Sequence, residues 1–346
     1  SKNLGSNAHD GSGAYFVIEA DEYDHMFWGL RPDIALVTNV EHDHPDYYPT
    51  AKEFFQAFLG FIERIKPGGV LITCENDPGA ALLRIQAEEK NIPTISYGLQ
   101  GTHYECYAQN VVINTSGGYA FEATCAPLEG DSGTPSVQVN LQVPGEYNVR
   151  NALATLAVTH ALGLPLHQAA LALNNYKGTE RRFEIIGQAC GVILIDDYAH
   201  HPTEIRATIK AARERYPTRS LWVVWQPHTY SRTRTLLDQY LTAFESAHHI
   251  LATEVYAARE AVPADNFSAQ QITQAMSHND VEFVPDLVTA KETLLRRLGS
   301  HDVLLVLSAG DADQLNQALL AELLAREDTG LKNNLNYQNI NNFNVN

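Results

Sequence analysis

Long apolar runs are missing from this sequence. No stretch approaches the roughly 18 residues that a membrane-crossing helix needs. The opening Ser1-Lys2-Asn3-Leu4-Gly5 carries no hydrophobic signal region, so no membrane insertion is expected. Basic residues are scarce: 24 Lys and Arg stand against 41 Asp and Glu, a formal net charge of −17. A nucleic-acid surface needs clustered cations to displace phosphate counterions, so no nucleic acid is expected as a partner. A small anionic ligand stays compatible if a few basic residues converge. Cysteine is sparse too. Cys74, Cys106, Cys125 and Cys190 are widely spaced and form no C-x-x-C pair, which implies neither a zinc ribbon nor a disulfide framework. Free thiols in a reducing cytoplasm are the expectation. No G-x-x-x-x-G-K-[ST] string occurs and no lysine follows a glycine, so the common phosphate-cradling loop is not among these residues. The chain does not begin with Met and enters an apolar stretch, Tyr15-Phe16-Val17-Ile18, almost at once; an upstream segment is expected.

What is there is enough to fold. With 45% hydrophobic residues over 346 positions, the chain can build about two domains at roughly 100 to 200 residues each. Two apolar strands are read at Tyr15 to Glu19 and Ile34 to Thr38, followed by a helix from about Thr50 to Ile65 that Pro67-Gly68-Gly69 stops. A strand over Val70 to Thr73, the turn Glu75-Asn76-Asp77-Pro78-Gly79 and a helix to Lys90 complete a βα unit of a parallel sheet. From Ile95 to Val143 short alternating segments with Gly and Ser turns read as a β-meander flanking that sheet, and a helix from about Asn148 to Ala161 follows Pro144-Gly145. Beyond a junction near Lys177-Gly178-Thr179, strands over Val192 to Asp196, Leu221 to Trp225, Ile250 to Val255, Val281 to Val284 and Val303 to Leu307 alternate with helices starting near Pro202, Thr233, Ser268, Val288 and Asp311. The expected fold is α/β. Residues 1–178 form a parallel-sheet domain with a small meander, and 179–330 a doubly wound, Rossmann-like domain with ligands at the carboxyl ends of its strands. The Asn-rich residues 331–346 lack a core-forming pattern and are expected to be a disordered tail.

Reactive side chains gather at the ends of these elements. Glu19-Ala20-Asp21-Glu22 and Glu41-His42-Asp43-His44 close neighbouring strands, where Glu19 and His44 could hold a hard divalent cation beside phosphate oxygens. The plainer alternative is a pair of solvated acidic loops. Asn148 and Asn151 stand at a helix start with spacing that puts their amides on one face, able to read a nucleotide base or simply to cap the helix. Arg182, beside the junction, could reach a phosphate; Asp196-Asp197-Tyr198-Ala199-His200-His201-Pro202-Thr203-Glu204 brings paired carboxylates and histidines to the functional sheet edge. Gln226-Pro227-His228-Thr229-Tyr230-Ser231-Arg232-Thr233-Arg234 follows another apolar strand, and its arginines could grip a carboxylate bidentately. Surface charges and helix caps are the alternative for both.

Those last two strings, with Tyr256-Ala257-Ala258-Arg259-Glu260, Asn3-Leu4-Gly5-Ser6-Asn7-Ala8 and Glu19-Ala20-Asp21-Glu22, resemble the alanine-adding branch of the Mur ligase family from Lys2 to about Arg326. The resemblance implies a central ATP-binding domain, truncated at its N-terminus, followed by the family's C-terminal domain. It implies an ATP-dependent, ADP-forming acid–amino acid ligase of peptidoglycan synthesis, cytoplasmic, with UDP-N-acetylmuramate and L-alanine as substrates and Mg²⁺ as its ion. ATP would phosphorylate the muramate carboxylate, and the amine of alanine would attack the acyl phosphate. Residue by residue, the resemblance implies Glu19 and His44 as metal ligands, Asn148 and Asn151 as adenine contacts, and Arg182 and Asp197 as nucleotide contacts. Asn7, Tyr198, His200 and Arg232 would surround the substrates, with Arg182, His200 and Arg232 as the catalytic group. The branch that recycles murein tripeptide shares the first histidine motif but differs around the arginines. This chain departs from the family pattern with Tyr147 where His usually precedes Asn148, and with Thr229 where many alanine-adding members carry Arg. Without a phosphate loop or a uridine-nucleotide domain, these residues alone are expected to be inactive. The alternative is a non-catalytic fragment that keeps part of the binding surface.

Overall fold

Apolar segments punctuated by polar turns fold into two six-stranded sheets, one in each of two units, Ser1–Gly178 and Thr179–Asn346. The computed structural model describes residues 2–128 and 133–341, with side chains up to residue 329.

The first unit begins with a stretch without regular secondary structure and a short 3₁₀ helix, Tyr23–Gly29, then β1 (Ile34–Val37), α1 (Ala51–Ile62), β2 (Val70–Cys74), α2 (Pro78–Glu89), β3 (Thr94–Leu99), β4 (Cys106–Ile113), β5 (Tyr119–Cys125), β6 (Ser136–Asn140), α3 (Glu146–Ala161) and α4 (Leu166–Asn174). Local signals set the helix starts. Thr50 and Glu53 cap α1 reciprocally, and Asp77 caps α2 while also accepting the amide of Val40. A side chain on Gly79 would meet the carbonyl of Val40 at 2.0 Å, which is why α2 can start so close to the end of β1. The strands lie in chain order; β1 to β4 pair in parallel, and β4, β5 and β6 antiparallel. Thr94–Leu99, read from sequence as the start of the meander, instead extends the parallel part of the same sheet. One face of the sheet packs Ile72 and Tyr97 against Val149, Leu153 and Leu156 of α3; the other packs Ala35, Val37 and Leu71 against Phe54, Phe61 and Ile62 of α1 and Leu83 of α2.

Two expectations are corrected here. Tyr15–Glu19 is not a strand: Phe16 and Val17 are 87% and 91% exposed in a stretch without regular secondary structure. A strand exists only where a neighbour completes its ladder, and β1 pairs only with β2 among the described residues. Nor are all the cysteines free. Cys106 and Cys125 face each other directly across the β4–β5 ladder and form a disulfide, whereas Cys74 and Cys190 are unpaired thiols. Hairpin register makes that pair, and spacing along the chain does not reveal register.

The second unit contains β7 (Glu184–Ala189), β8 (Val192–Asp197), α5 (Pro202–Arg215), β9 (Ser220–Gln226), α6 (Tyr230–Thr235), α7 (Leu237–Tyr240), β10 (His249–Ala252), α8 (Ala269–Ala275), β11 (Val281–Phe283), α9 (Leu287–Arg297), β12 (Asp302–Ser308) and α10 (Asp313–Asn341). Its strand order is β11-β10-β9-β12-β8-β7, parallel except for the edge strand β7. Alternate residues of the strands point to opposite faces. Val192, Leu194, Val224 and Leu304 pack with Leu294 of α9 and Leu315 and Leu319 of α10, while Trp225 meets Tyr240 and Phe244 on the other side. Because β8, β9, β10 and β12 are parallel, their carboxyl ends share one edge, where an open sheet of this kind binds ligands. The Asn-rich stretch expected as a tail falls largely outside the described residues: residues 330–341 enter only as the backbone end of α10, and 342–346 not at all.

Candidate active site

The carboxyl edge of the second sheet gathers both histidine- and arginine-bearing strings. β8 ends in Asp196 and Asp197, each 2% exposed. Asp197 accepts backbone N–H groups from Phe183 and Ala199, at 2.7 Å each, so its carboxylate holds the loop rather than facing outward. Burial pushes its pKa up to about 6, against the pull of those amides. Next along the loop, His200 Nδ1 lies 3.0 Å from the carbonyl of Tyr198, its ring 5.4 Å from that of Tyr198 and 6.1 Å from that of His228. Pro202 and the His201–Glu204 capping pair then start α5. Burial by itself would raise the pKa of Glu204, but His200, Arg182 and the amides of residues 200 and 201 lower it overall. Tyr198 is covered by two guanidinium groups: Arg181 and Arg182 lie 5.0 and 5.4 Å from its ring centroid. Arg182 is half exposed, with Nη1 3.6 Å from Glu204.

The loop after β9 supplies the other half of the cluster. Arg232 does not project over the loop edge as its position in the string implies. It is 4% exposed and folded back from α6 onto the loop before it, with Nη1 3.0 Å from His228 Nδ1. The ring of His228 stacks on Tyr256 from the loop after β10 at 5.8 Å. Gln226, at the end of β9, accepts the hydroxyl of Ser308 and the amide of Ala312, tying in the end of β12. Gly310 fits between Gln226 and Tyr256, where an added Cβ would lie 2.5 Å from Gln226 Oε1.

In the first unit the expected residues are only partly assembled. Asn148 and Asn151 do share a face of α3: Asn148 Nδ2 donates to the carbonyl of Pro144 at 2.7 Å, and its Oδ1 lies 3.5 Å from Asn151 Nδ2. Asn151 is exposed and Asn148 half-buried. Asn7 is exposed in the opening loop. Glu19 and His44 differ in their surroundings. Glu19 sits in the exposed stretch, whereas His44 Nε2 lies 3.1 Å from Glu22 Oε1 and 3.9 Å from Asp43 Oδ2. Left-handed Asp24 and His25 kink the 3₁₀ helix, which follows Glu22 directly. The hydrogen bond from His44 is the main cause that holds Glu22 below the usual carboxylate range.

Both units have counterparts among known proteins. The Mur ligase middle domain matches residues 3–159, and the Mur ligase glutamate ligase domain matches residues 181–310. A UDP-N-acetylmuramate–L-alanine ligase of Chloroflexus aggregans is 38% identical over 92% of this chain and 69% of its own length. The chain belongs to the Mur ligase family. A second such ligase, from Renibacterium salmoninarum, is 39% identical over 92% of this chain, which spans 66% of it. The fold is that of the UDP-N-acetylmuramate-alanine ligase MurC from Thermotoga maritima, with a TM-score of 0.68 at 22% identity over 89% of this chain and 63% of that one. The chain therefore spans about two thirds of the length of these Mur ligases.

The structure also adds residues to this Mur ligase site that sequence reading left unassigned. Arg181 and Glu260 carry no role in the sequence reading; neighbouring charge alone does not reveal which side chain folds inward. A hard divalent ion takes about six oxygen ligands. Among the described residues no group of three or more His, Cys, Asp and Glu is placed to hold a metal ion, so Glu22, Asp43 and His44 do not by themselves fit one. No helix among the described residues is long and apolar enough to cross a membrane.

Proposed function

We propose that this chain supplies the nucleotide- and amino-acid-handling domains of an enzyme that joins L-alanine to UDP-N-acetylmuramate with ATP. One observation carries the reading: His200, His228 and Arg232 converge with Tyr198 and Arg182 at the carboxyl edge of a sheet whose curated relatives are named for that reaction.

In this reading the γ-phosphoryl group passes from ATP to a muramate carboxylate oxygen, leaving ADP. The alanine nitrogen then attacks the acyl carbon, the C–N bond forms, the C–O bond to phosphate breaks, and the amine proton departs. Arg182, half exposed beside Tyr198, meets phosphate oxygens. His200 has Nδ1 facing the Tyr198 carbonyl, which makes Nε2 its basic nitrogen; we assign that atom the proton of the alanine ammonium group. Arg232 receives the alanine carboxylate, with its guanidinium set by His228. Asp197 acts through the loop it fastens rather than by touching nucleotide. Asn148 and Asn151 offer amides to the adenine, and Asn7 lies on the substrate side. Mg²⁺, when bound with ATP, would offset phosphate charge; no step is assigned to it, because the described residues do not fit it by themselves. A cytoplasmic place follows from ATP and the nucleotide-linked substrate, and the Cys106–Cys125 bond argues against it.

The missing G-x-x-x-x-G-K-[ST] string removes the N–H cradle, the lysine and the metal-binding hydroxyl of phosphoryl transfer. The 346 residues alone should therefore show no alanine-dependent phosphate release, and the same residues joined to a segment carrying that loop should show it. Release by the chain alone overturns the first expectation. Joined protein that turns over a peptide but not L-alanine overturns the choice of substrate.

A further inference from the structure

The string Tyr256-Ala257-Ala258-Arg259-Glu260 follows β10 and meets the loop that carries His228 and Arg232. That loop is poorly secured by its own sequence. α6 is six residues long, and Thr229, which precedes it, gives no side-chain cap and sits at φ 64°. A β-branched residue at positive φ holds that conformation only where its surroundings enforce it. The first amides of a helix also have no partner within it.

Glu260 meets both needs. Its Oε2 accepts the backbone N–H of Tyr230 at 2.5 Å and of Ser231 at 3.1 Å, and its Oε1 accepts the Ser231 hydroxyl. A second fastening lies beside it: Thr229 N–H donates to the carbonyl of Tyr256 at 2.9 Å, and Tyr256 N–H to that of Pro227 at 2.8 Å. The turn that presents Glu260 is closed by its own N–H donating to the Ala257 carbonyl at 2.9 Å, with Ala258 at φ 52°. Arg232 is the residue after the one that Glu260 holds by both amide and hydroxyl.

We infer that Glu260 is a positioning residue for amino-acid recognition. By occupying the start of α6 with its own carboxylate, it fixes His228 and Arg232 and bars the ligand's carboxylate from the helix amides, so that recognition falls to the Arg232 guanidinium. The link to an amino acid rests on the ligase reading; the fixing of the loop does not.

The test uses the 346-residue chain, with Glu260→Ala and Glu260→Gln. Glutamine keeps one acceptor oxygen for the amides and loses the acceptor for the hydroxyl. Amide hydrogen exchange is read at Tyr230 and Ser231 against Val223 and Val224 of β9 in the same sample, and the affinities for L-alanine and for ADP with Mg²⁺ are measured by calorimetry. Glu260→Ala should speed exchange at residues 230 and 231 by about tenfold or more, leave β9 protected, and weaken L-alanine by about fivefold or more with little change for ADP. Glu260→Gln should fall between, and it carries the test if the alanine variant does not fold. Unchanged exchange at both amides, or equal loss of L-alanine and ADP, overturns the proposal. An unsubstituted chain that binds ADP but no L-alanine counts against the ligase reading, and the exchange measurement then decides by itself whether Glu260 holds the loop.

Discussion

Arg181 and Asp196 form a partly buried tie at the entrance to the second unit: Arg181 Nε lies 3.3 Å from Asp196 Oδ2 while its Nη2 donates to the Ser308 carbonyl at 2.7 Å. One guanidinium thus fastens the chain before β7 to the ends of β8 and β12. It does so from a residue at φ 55°, a conformation that the tie helps to impose.

The burial of Asp196 makes stability depend on pH. Burial pushes Asp196 up to about 6, and Arg181 only partly offsets this. A raised folded-state value means that the folded chain holds this proton more tightly than the unfolded one. The contribution is fully present below the unfolded value near 3.8 and is lost as pH rises through about 6. Asp196→Asn removes the ionisation. Relative to the unsubstituted chain, the variant should gain up to about 3 kcal/mol between pH 4 and pH 7. Urea unfolding at both pH values checks this; a difference that stays constant, or reverses, refutes it.

Arg182 is half exposed, and its pair with Glu204 is worth little. Arg182→Ala should leave the melting temperature within about 2 °C while weakening ADP, bound with Mg²⁺, by on the order of tenfold or more, the loss of a charged hydrogen bond. Calorimetry decides; equal affinity in the variant would take Arg182 out of nucleotide binding.

Arg232 is buried, so its removal acts twice. Arg232→Ala should destabilise by about 2 to 4 kcal/mol by removing the contact to His228 Nδ1 and opening a void. Arg232→Lys keeps charge and bulk but not the fork. In the protein joined to a phosphate-loop segment, Arg232→Lys should raise the KM for L-alanine by on the order of tenfold with the KM for ATP nearly constant. The reverse pattern would assign the arginine to the wrong ligand.

The disulfide closes a loop with a sequence separation of 19 in the first unit. Reduction, in a chain carrying Cys74→Ser to silence the other buried thiol, should lower the stability of that unit by about 3 kcal/mol and leave the second unit unchanged. Thermal melts with and without reductant measure it, and coincident melts count against the pairing.

How much could be read beforehand differed by element. The five parallel strands of the second sheet were legible because each is a short apolar run between turn residues, and their pairing brings Asp197, Gln226 and Ser308 to one edge; the antiparallel edge strand β7, with its mixed Glu184–Ala189 pattern, was not. Asn148 and Asn151 were legible because helical spacing alone sets their relation. Tyr15–Glu19 misled because its apolar pattern says nothing about whether a neighbour exists. Glu19 lies in that exposed stretch, and a partner that His44 meets is Glu22. Arg232 and Glu260 were hidden for a different reason: which way a loop side chain turns depends on residues about 30 positions away, here Tyr256 and Glu260.

The exposed Tyr15–Ile18 stretch and the outer edge of β1 also bear on how molecules of this chain behave towards one another. An exposed apolar segment outside any strand and a sheet edge without a partner among the described residues are two pieces from which separate copies can build a strand ladder. A net charge of −17 opposes that encounter over about 10 Å at 0.1 M salt and over only about 3 Å at 1 M. The chain should therefore stay dispersed in dilute buffer and assemble as salt is raised, the opposite of an association held by ion pairs. Phe16→Asp with Val17→Lys, two exposed positions with no core to disturb, should abolish the salt dependence of light scattering.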